Sequence, residues 1–172
     1  FSSINDKLFF VLDTNNLQPS KFNLAYDSLK VSKIEGSISY QISEKLKADA
    51  IGRFYSYELK NNSYAWYMPQ FEFITRASYN LFKKFIFNVD LTVETGRKML
   101  LINEEEGSFI ENDQIIKDLG ALFDMNLGVE YRYNKRISAF VQFNNTAAQR
   151  YLKWHNYPVQ GFQLMGGVTA RF

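Results

Sequence analysis

Cysteine is absent from the chain, which excludes a disulfide framework, a thiol nucleophile and any cysteine-based metal site. That absence leaves the compartment open and is compatible with an oxidising one. Histidine occurs once, at His155, and its neighbourhood QRYLKWHNYP holds no serine or carboxylate with which to build a His-based catalytic centre. No catalytic residue, no metal site and no cofactor are expected. No run approaches the eighteen or so apolar residues of a membrane helix, and no signal peptide opens the chain. Charge of one sign is not in excess: Lys plus Arg number 20 and Asp plus Glu 18, so nothing suggests the clustered basic face that a nucleic-acid partner would need. A convincing 3.6-residue period, a low-complexity linker and an internal domain boundary are also missing. The first residue is Phe1 rather than Met, and the chain is expected to be a processed product or a fragment.

What is present is aromatic and alternating. Aromatics make up 17% of the chain, with 16 Phe and 11 Tyr. The last stretch, GFQLMGGVTARF, places Phe162, Leu164, Gly166, Val168, Ala170 and Phe172 on one face of a strand, with Gln163, Met165, Gly167, Thr169 and Arg171 on the other. The same two-residue rhythm recurs upstream. It runs through Phe22–Tyr26, then, past a turn expected near Asp27, through Ile34–Ile42, 46–59, 70–81, 85–95, 119–133 and 137–143. In the five clearest strands one face carries no charge, while the other carries Glu72, Arg76, Asp90, Glu94, Asp124, Glu130, Arg132 and Arg171. Residues 1–19 read as a lead-in or partial strand, and residues 20–172 as barrel strands.

Alternation alone does not say which face meets water, because a soluble sandwich or ligand-binding barrel alternates too. Three features favour an antiparallel transmembrane up-and-down β-barrel. Tight turns at 43–45, 82–84 and 134–135 alternate with long loops at 60–68, 96–118 and 144–160, as in outer-membrane barrels. The strands are long enough to cross a bilayer at a tilt. Aromatics gather at the strand ends: Tyr79, Phe85, Tyr131, Tyr133 and Phe172 beside the turns, Phe71, Phe143 and Phe162 beside the loops, like two interfacial girdles. Lysine is missing from the polar face of the five clearest strands, yet Lys45, Lys83, Lys84 and Lys135 crowd the turns. The eight charged residues are therefore candidate lumen-lining groups, either along a diffusion path or as a salt-bridged filling. Trp154 and Tyr157, with Tyr79, Phe85, Tyr131 and Tyr133, are candidate interfacial aromatics, and His155 belongs to that loop cluster. Glu104, Glu105, Glu106, Glu111 and Asp113 lack the ligand spacing of a calcium loop and read as a solvated acidic loop.

The run DMNLGVEYRYNKRISAFVQFNN, followed by QRYLKWHNYPVQGFQLMGGVTARF, resembles the C-terminal end of Bacteroidota outer-membrane barrels related to TonB-dependent receptors. The resemblance rests on Asn144, Asn145, Tyr151, Trp154, Tyr157, Pro158, Gly161, Gly166, Gly167 and Phe172, and covers about the last fifty residues. It implies a bacterial outer-membrane location, barrel topology, and assembly through a C-terminal signal at Phe162, Leu164, Gly166, Val168, Ala170 and Phe172 that the barrel-assembly machinery reads. Lipid and lipopolysaccharide are the implied surroundings, with other subunits of an outer-membrane complex as further partners. The sequence holds no plug domain and no TonB box, so energised transport does not carry over with the likeness. Eight strands count back to Phe22, with Leu8–Leu12 a ninth; since single-chain bacterial barrels are even, nine would mark the terminal part of a larger one. Solute transport, as a porin or receptor-like channel, is the expected role. A non-transporting accessory barrel is the alternative and a membrane-embedded enzyme the third.

Overall fold

The computed structural model describes residues 1–12, 22–101, 108–111, 114–154 and 156–171. Among them the only regular elements are strands: β1 (Ser2–Leu12), β2 (Phe22–Gln41), β3 (Leu46–Leu59), β4 (Phe71–Leu81), β5 (Phe85–Thr95), β6 (Arg97–Leu101), β7 (Ser108–Glu111), β8 (Gln114–Leu119), β9 (Leu122–Arg132), β10 (Ile137–Asn144), β11 (Leu152–Trp154), β12 (Tyr157–Pro158) and β13 (Gln163–Ala170). Eight of these form one antiparallel sheet in the order β1, β2, β3, β4, β5, β9, β10, β13. Each strand lies beside the one that precedes it in the wall, which is up-and-down topology. β1 and β13 each pair on one side only, so this wall is not closed into a barrel.

The long connections carry structure of their own. Between β5 and β9 the stretch expected to be an acidic loop folds into a three-stranded sheet, β6-β8-β7. The strand expected to begin at Leu119 is consequently broken at Gly120 and Ala121, with Leu119 closing β8 and Leu122 opening β9. The connection from β10 to β13 holds the small β11–β12 hairpin.

A second difference concerns Asp27, where a turn is expected. β2 instead runs unbroken for 20 residues, from Phe22 to Gln41, so the two runs expected on either side of Asp27 are one strand and the wall has eight strands, β1 included. The misleading signal has a physical cause. Along most of β2 the even positions, such as Ile34 and Ile38, point to the bare outer face. Near the loops Leu29 and Val31 turn their apolar side chains to the other face, opposite Leu59 and Tyr57 of β3. There the inner face is covered, while Lys30 and Glu58 pair on the outside at 3.0 Å. The apolar parity flips because the surroundings of each face change with height, not because the chain turns.

What covers the inner face at that height is a small core. Phe9, Leu29, Ala65, Trp66, Leu100 and Ile116 are buried together, bringing the ends of β1 and β2, the 60–69 connection and the β6–β8 pair into one cluster. The outer face of the wall has no such cover: Ile34, Ile38 and Val168 are 73%, 72% and 72% exposed. A continuous bare apolar face of this extent marks an interaction surface rather than an ordinary soluble one.

Candidate functional site: the charged face and its loop-side roof

Strand register assembles the charged face. Glu35 of β2, Arg53 of β3, Glu72 of β4 and Glu94 of β5 are consecutive cross-strand partners. Arg53 donates from Nε to Glu35 at 2.7 Å and from Nη1 to Glu72 at 2.9 Å, and the Tyr55 hydroxyl also reaches Glu72, at 3.4 Å. A second row, Ser39, Asp49, Arg76, Asp90 and Asn126, runs parallel to it. In this row Arg76 pairs with Asp90 at 3.3 Å, Lys47 reaches Asp49 at 3.3 Å, and the Ser39 hydroxyl donates to Asp49. Planar guanidinium groups suit such rows because each can hold two carboxylates in fixed directions.

The structure thus places Glu72, Arg76, Asp90, Glu94, Asp124, Glu130 and Arg132 on one face, with Arg171 following the last strand. It adds Glu35, Asp49 and Arg53, which the β2 and β3 alternation carries equally well. Lys33 and Lys47 also stand on this face, bonded to Glu35 and Asp49, so the scarcity of lysine there holds only for the later strands. Glu130 and Arg132 pair at 3.0 Å. Arg132 and Arg171 then open into a groove of about 680 Å³ at the tight-turn end, with Lys83, Lys84, Lys135 and Arg136.

On the opposite face the aromatics meet across strands. Phe85 lies 4.8 Å from Tyr131 and 6.4 Å from Phe87 by ring centroids, and Phe87 is the register partner of Tyr79. Tyr133 is exposed beyond the end of β9. On the loop side Phe143 and Phe162 approach to 6.2 Å. Trp154 packs edge-on against Phe10 of β1 at 6.3 Å, with the Lys153 ammonium over its ring, and Tyr157 is exposed beside it. Within the expected C-terminal signal, Leu164, Gly166, Val168 and Ala170 lie along β13, opposite Phe143, Val141, Ala139 and Ile137 of β10. His155, Phe172, Glu104, Glu105, Glu106 and Asp113 lie outside the described residues. Glu111 accepts a hydrogen bond from the Tyr64 hydroxyl.

Three polar groups that organise the loop side went unread in the sequence. Asp27 is 2% exposed and accepts backbone N–H bonds from Asn61 at 2.9 Å and Asn62 at 2.7 Å, plus their side-chain amides. It lies on the loop side of the Lys30–Glu58 pair, outside the bare apolar band. Burial pushes its carboxyl up, but the Asn62, Asn61 and Ser28 hydrogen bonds outweigh that and hold it down at about 2. Asn145, buried and at φ 47°, donates to the carbonyls of Gln149 and Gln160 at 3.1 Å each, so it holds both ends of the last long loop. Arg97 at the start of β6 is 3% exposed; its Nη1 donates to the Leu152 carbonyl at 3.1 Å, and burial lowers the guanidinium from its ordinary value, with Glu94 opposing. None of the three is marked by a motif, because each is defined by chain segments that meet only in the fold.

No protein-family model matches the sequence, and no curated protein matches it. Solved structures do match in fold. A copper transporter, OprC, superposes with a TM-score of 0.67 at 14% identity, covering 99% of this chain and 26% of that one. The ferripyoverdine receptor of the outer membrane of Pseudomonas aeruginosa gives 0.66 at 12% identity, covering 98% and 23%. The ferric-catecholate import receptor Fiu of E. coli K12 gives 0.64 at 13% identity, covering 99% and 24%. The fold is that of an outer-membrane barrel wall. Likeness to TonB-dependent receptors extends over nearly all of the chain, and the chain spans about a quarter of the length of each of these structures.

Proposed function

We propose that the chain is part of the wall of a solute-transport barrel in a bacterial outer membrane, of the TonB-dependent-receptor kind. The observation that carries this reading is the two-faced sheet: a bare apolar face in one direction, and rows of paired charges in the other. A soluble protein would leave Ile34, Ile38, Leu164 and Val168 in water at the cost of each side chain's transfer energy. In hydrocarbon the same face is the stable one, and the charges point to an aqueous lumen. The open edges of β1 and β13 need strand partners, since unpaired backbone groups in lipid cost several kcal/mol each. Further strands of a larger barrel would supply them, in keeping with the share of each neighbour that the chain spans.

On this reading the aromatic ends of the strands sit at the two interfaces, among phospholipid on the turn side and lipopolysaccharide on the loop side. The β13 region, Phe162 to Phe172, serves as the signal read by the barrel-assembly machinery. The resemblance of the last fifty residues supports a Bacteroidota source, and we take the role to be transport rather than catalysis. The test has two parts. Antibody against the last strand should detect a protein in outer-membrane fractions, and that protein, reconstituted in planar bilayers or tested by deletion in cells, should conduct or take up solutes. Location in the outer membrane without conductance or uptake would favour an accessory barrel within a larger complex; absence from the membrane would sink the reading altogether.

A further inference from the structure

The loop-side roof borders a second, open-sided cavity, of about 330 Å³, between the open end of the β6–β8 pair and residues 149–152 with Asn156. Its lining includes Arg97, Lys117, Gln149, Arg150 and Tyr151. Arg97 is nearly fully buried, yet its hydrogen bonding is incomplete. Nη1 is taken by the Leu152 carbonyl, Nε is buried without an acceptor, and the Glu94 carboxylate stands 3.9 Å from Nε, too far for a hydrogen bond. A guanidinium held this way carries the cost of desolvation without the directed bonds that offset it. The acid in the lining, Asp118, is already engaged by Lys98 at 2.5 Å. Arg150 is exposed at the mouth, and Gln149 is fixed by bonds to the Ala121 carbonyl and the Phe123 N–H, which hold this wall of the cavity to the start of β9.

We propose that this cavity is an oxyanion site, with Arg97 as the buried anchor and Arg150 as the second cation, taking the carboxylate or phosphate group of a solute at the loop-side mouth. The proposal deepens the transport reading and rests on it for the side of the membrane the site faces. The chemistry is specific: the lining sets three cations, Arg97, Lys117 and Arg150, against one carboxylate, Asp118, which Lys98 already engages, and a guanidinium-bearing wall of this kind attracts a carboxylate or phosphate and repels metal cations. A cavity of this volume lies at the small end of ligand sites and suits a compact polycarboxylate or a phosphate ester. Two sources share that chemistry, a free solute and the phosphates of lipopolysaccharide.

The test is isothermal titration of the full-length protein, purified in detergent from outer membranes, with citrate, with inorganic phosphate, and separately with lipopolysaccharide micelles. Saturable heat with citrate or phosphate is expected, weakened about tenfold or more in Arg97→Gln, a few-fold in Arg150→Gln, and unchanged in Arg132→Gln at the opposite end of the wall. Heat from lipopolysaccharide alone, lost in Arg97→Gln, supports the oxyanion site and assigns it to lipid phosphate. Should Arg97→Gln fail to fold, the exposed Arg150→Gln decides. Binding unchanged in the loop-side variants, or absent from the wild type for all three probes, overturns the proposal. A protein that takes up solute but binds none of these anions loses this site and keeps its transport role; one that binds them but lies outside the outer membrane does the reverse.

Discussion

Gly96 is the residue at which the wall hands over to its roof, and its backbone allows little else. Its φ is +74°, and a Cβ there would lie 2.8 Å from the Cβ of Gln70, so both conformation and space oppose a side chain. Gly96→Ala should therefore destabilise the protein by about 1–3 kcal/mol, read as a lower urea midpoint in a bilayer refolding assay; an unchanged midpoint would mean the β5–β6 junction relaxes freely. Asp27 makes a prediction of a different kind. Its folded pKa, about 2, lies below the ordinary 3.8, so its tether on the 60–62 connection stabilises the fold fully above about pH 4 and fades as pH falls through about 2. Asp27→Asn should raise hydrogen exchange at Asn61 and Asn62 at neutral pH, and wild-type protein should show the same rise only in strong acid. Equal exchange in the two proteins at pH 7 would remove Asp27 from that role.

Among the elements, β9 tests the orientation of the sheet most directly, because its alternation is regular from Phe123 to Arg132 and it pairs on both sides. Arg at Leu127 or Val129 should cost about 2–4 kcal/mol if these positions face mid-bilayer lipid, whereas Arg at Asn126 should be tolerated. Folding yields that fall equally at all three positions would overturn that assignment of faces. The Arg53 row on β2 to β4 yields to a double-mutant cycle. Arg53→Met leaves Glu35 and Glu72 without their shared cation and should lower the urea midpoint only modestly, because the row is partly hydrated; that loss should shrink when both glutamates are Gln. The same strands show how far alternation is readable. Turns at 43–45 and 82–84 stand out because polar residues interrupt the two-residue rhythm, whereas Asp27 imitates a turn only because Leu29 and Val31 change face beneath the roof.

For the whole molecule the decisive feature is that the wall is open. Eight strands with two unpaired edges and a continuous apolar face cannot stand alone in a bilayer without strand partners. The native protein detected in outer-membrane fractions should accordingly be several times larger than the 20.1 kDa of these residues. A native mass near 20 kDa would require β1 and β13 to meet each other, making a small barrel whose charged rows fill its interior. The roof matters at this scale too. The β6–β8 pair and the 60–69 connection cover the inner face near one mouth, while the tight turns leave the other mouth short and cationic.

Period-two patterning by itself determined the class of the fold, the separation of charged from apolar faces, the positions of the tight turns, and which charges share a face, because in a paired strand each side chain's face follows from its parity alone. Tertiary structure decided what parity cannot express: that β1 joins the wall, that β2 continues past Asp27, that the stretch after Gly96 is a sheet rather than a loop, and that Arg97, Asp27 and Asn145 are buried. Those facts depend on which distant segments cover a given face at a given height. No local period in the chain encodes that.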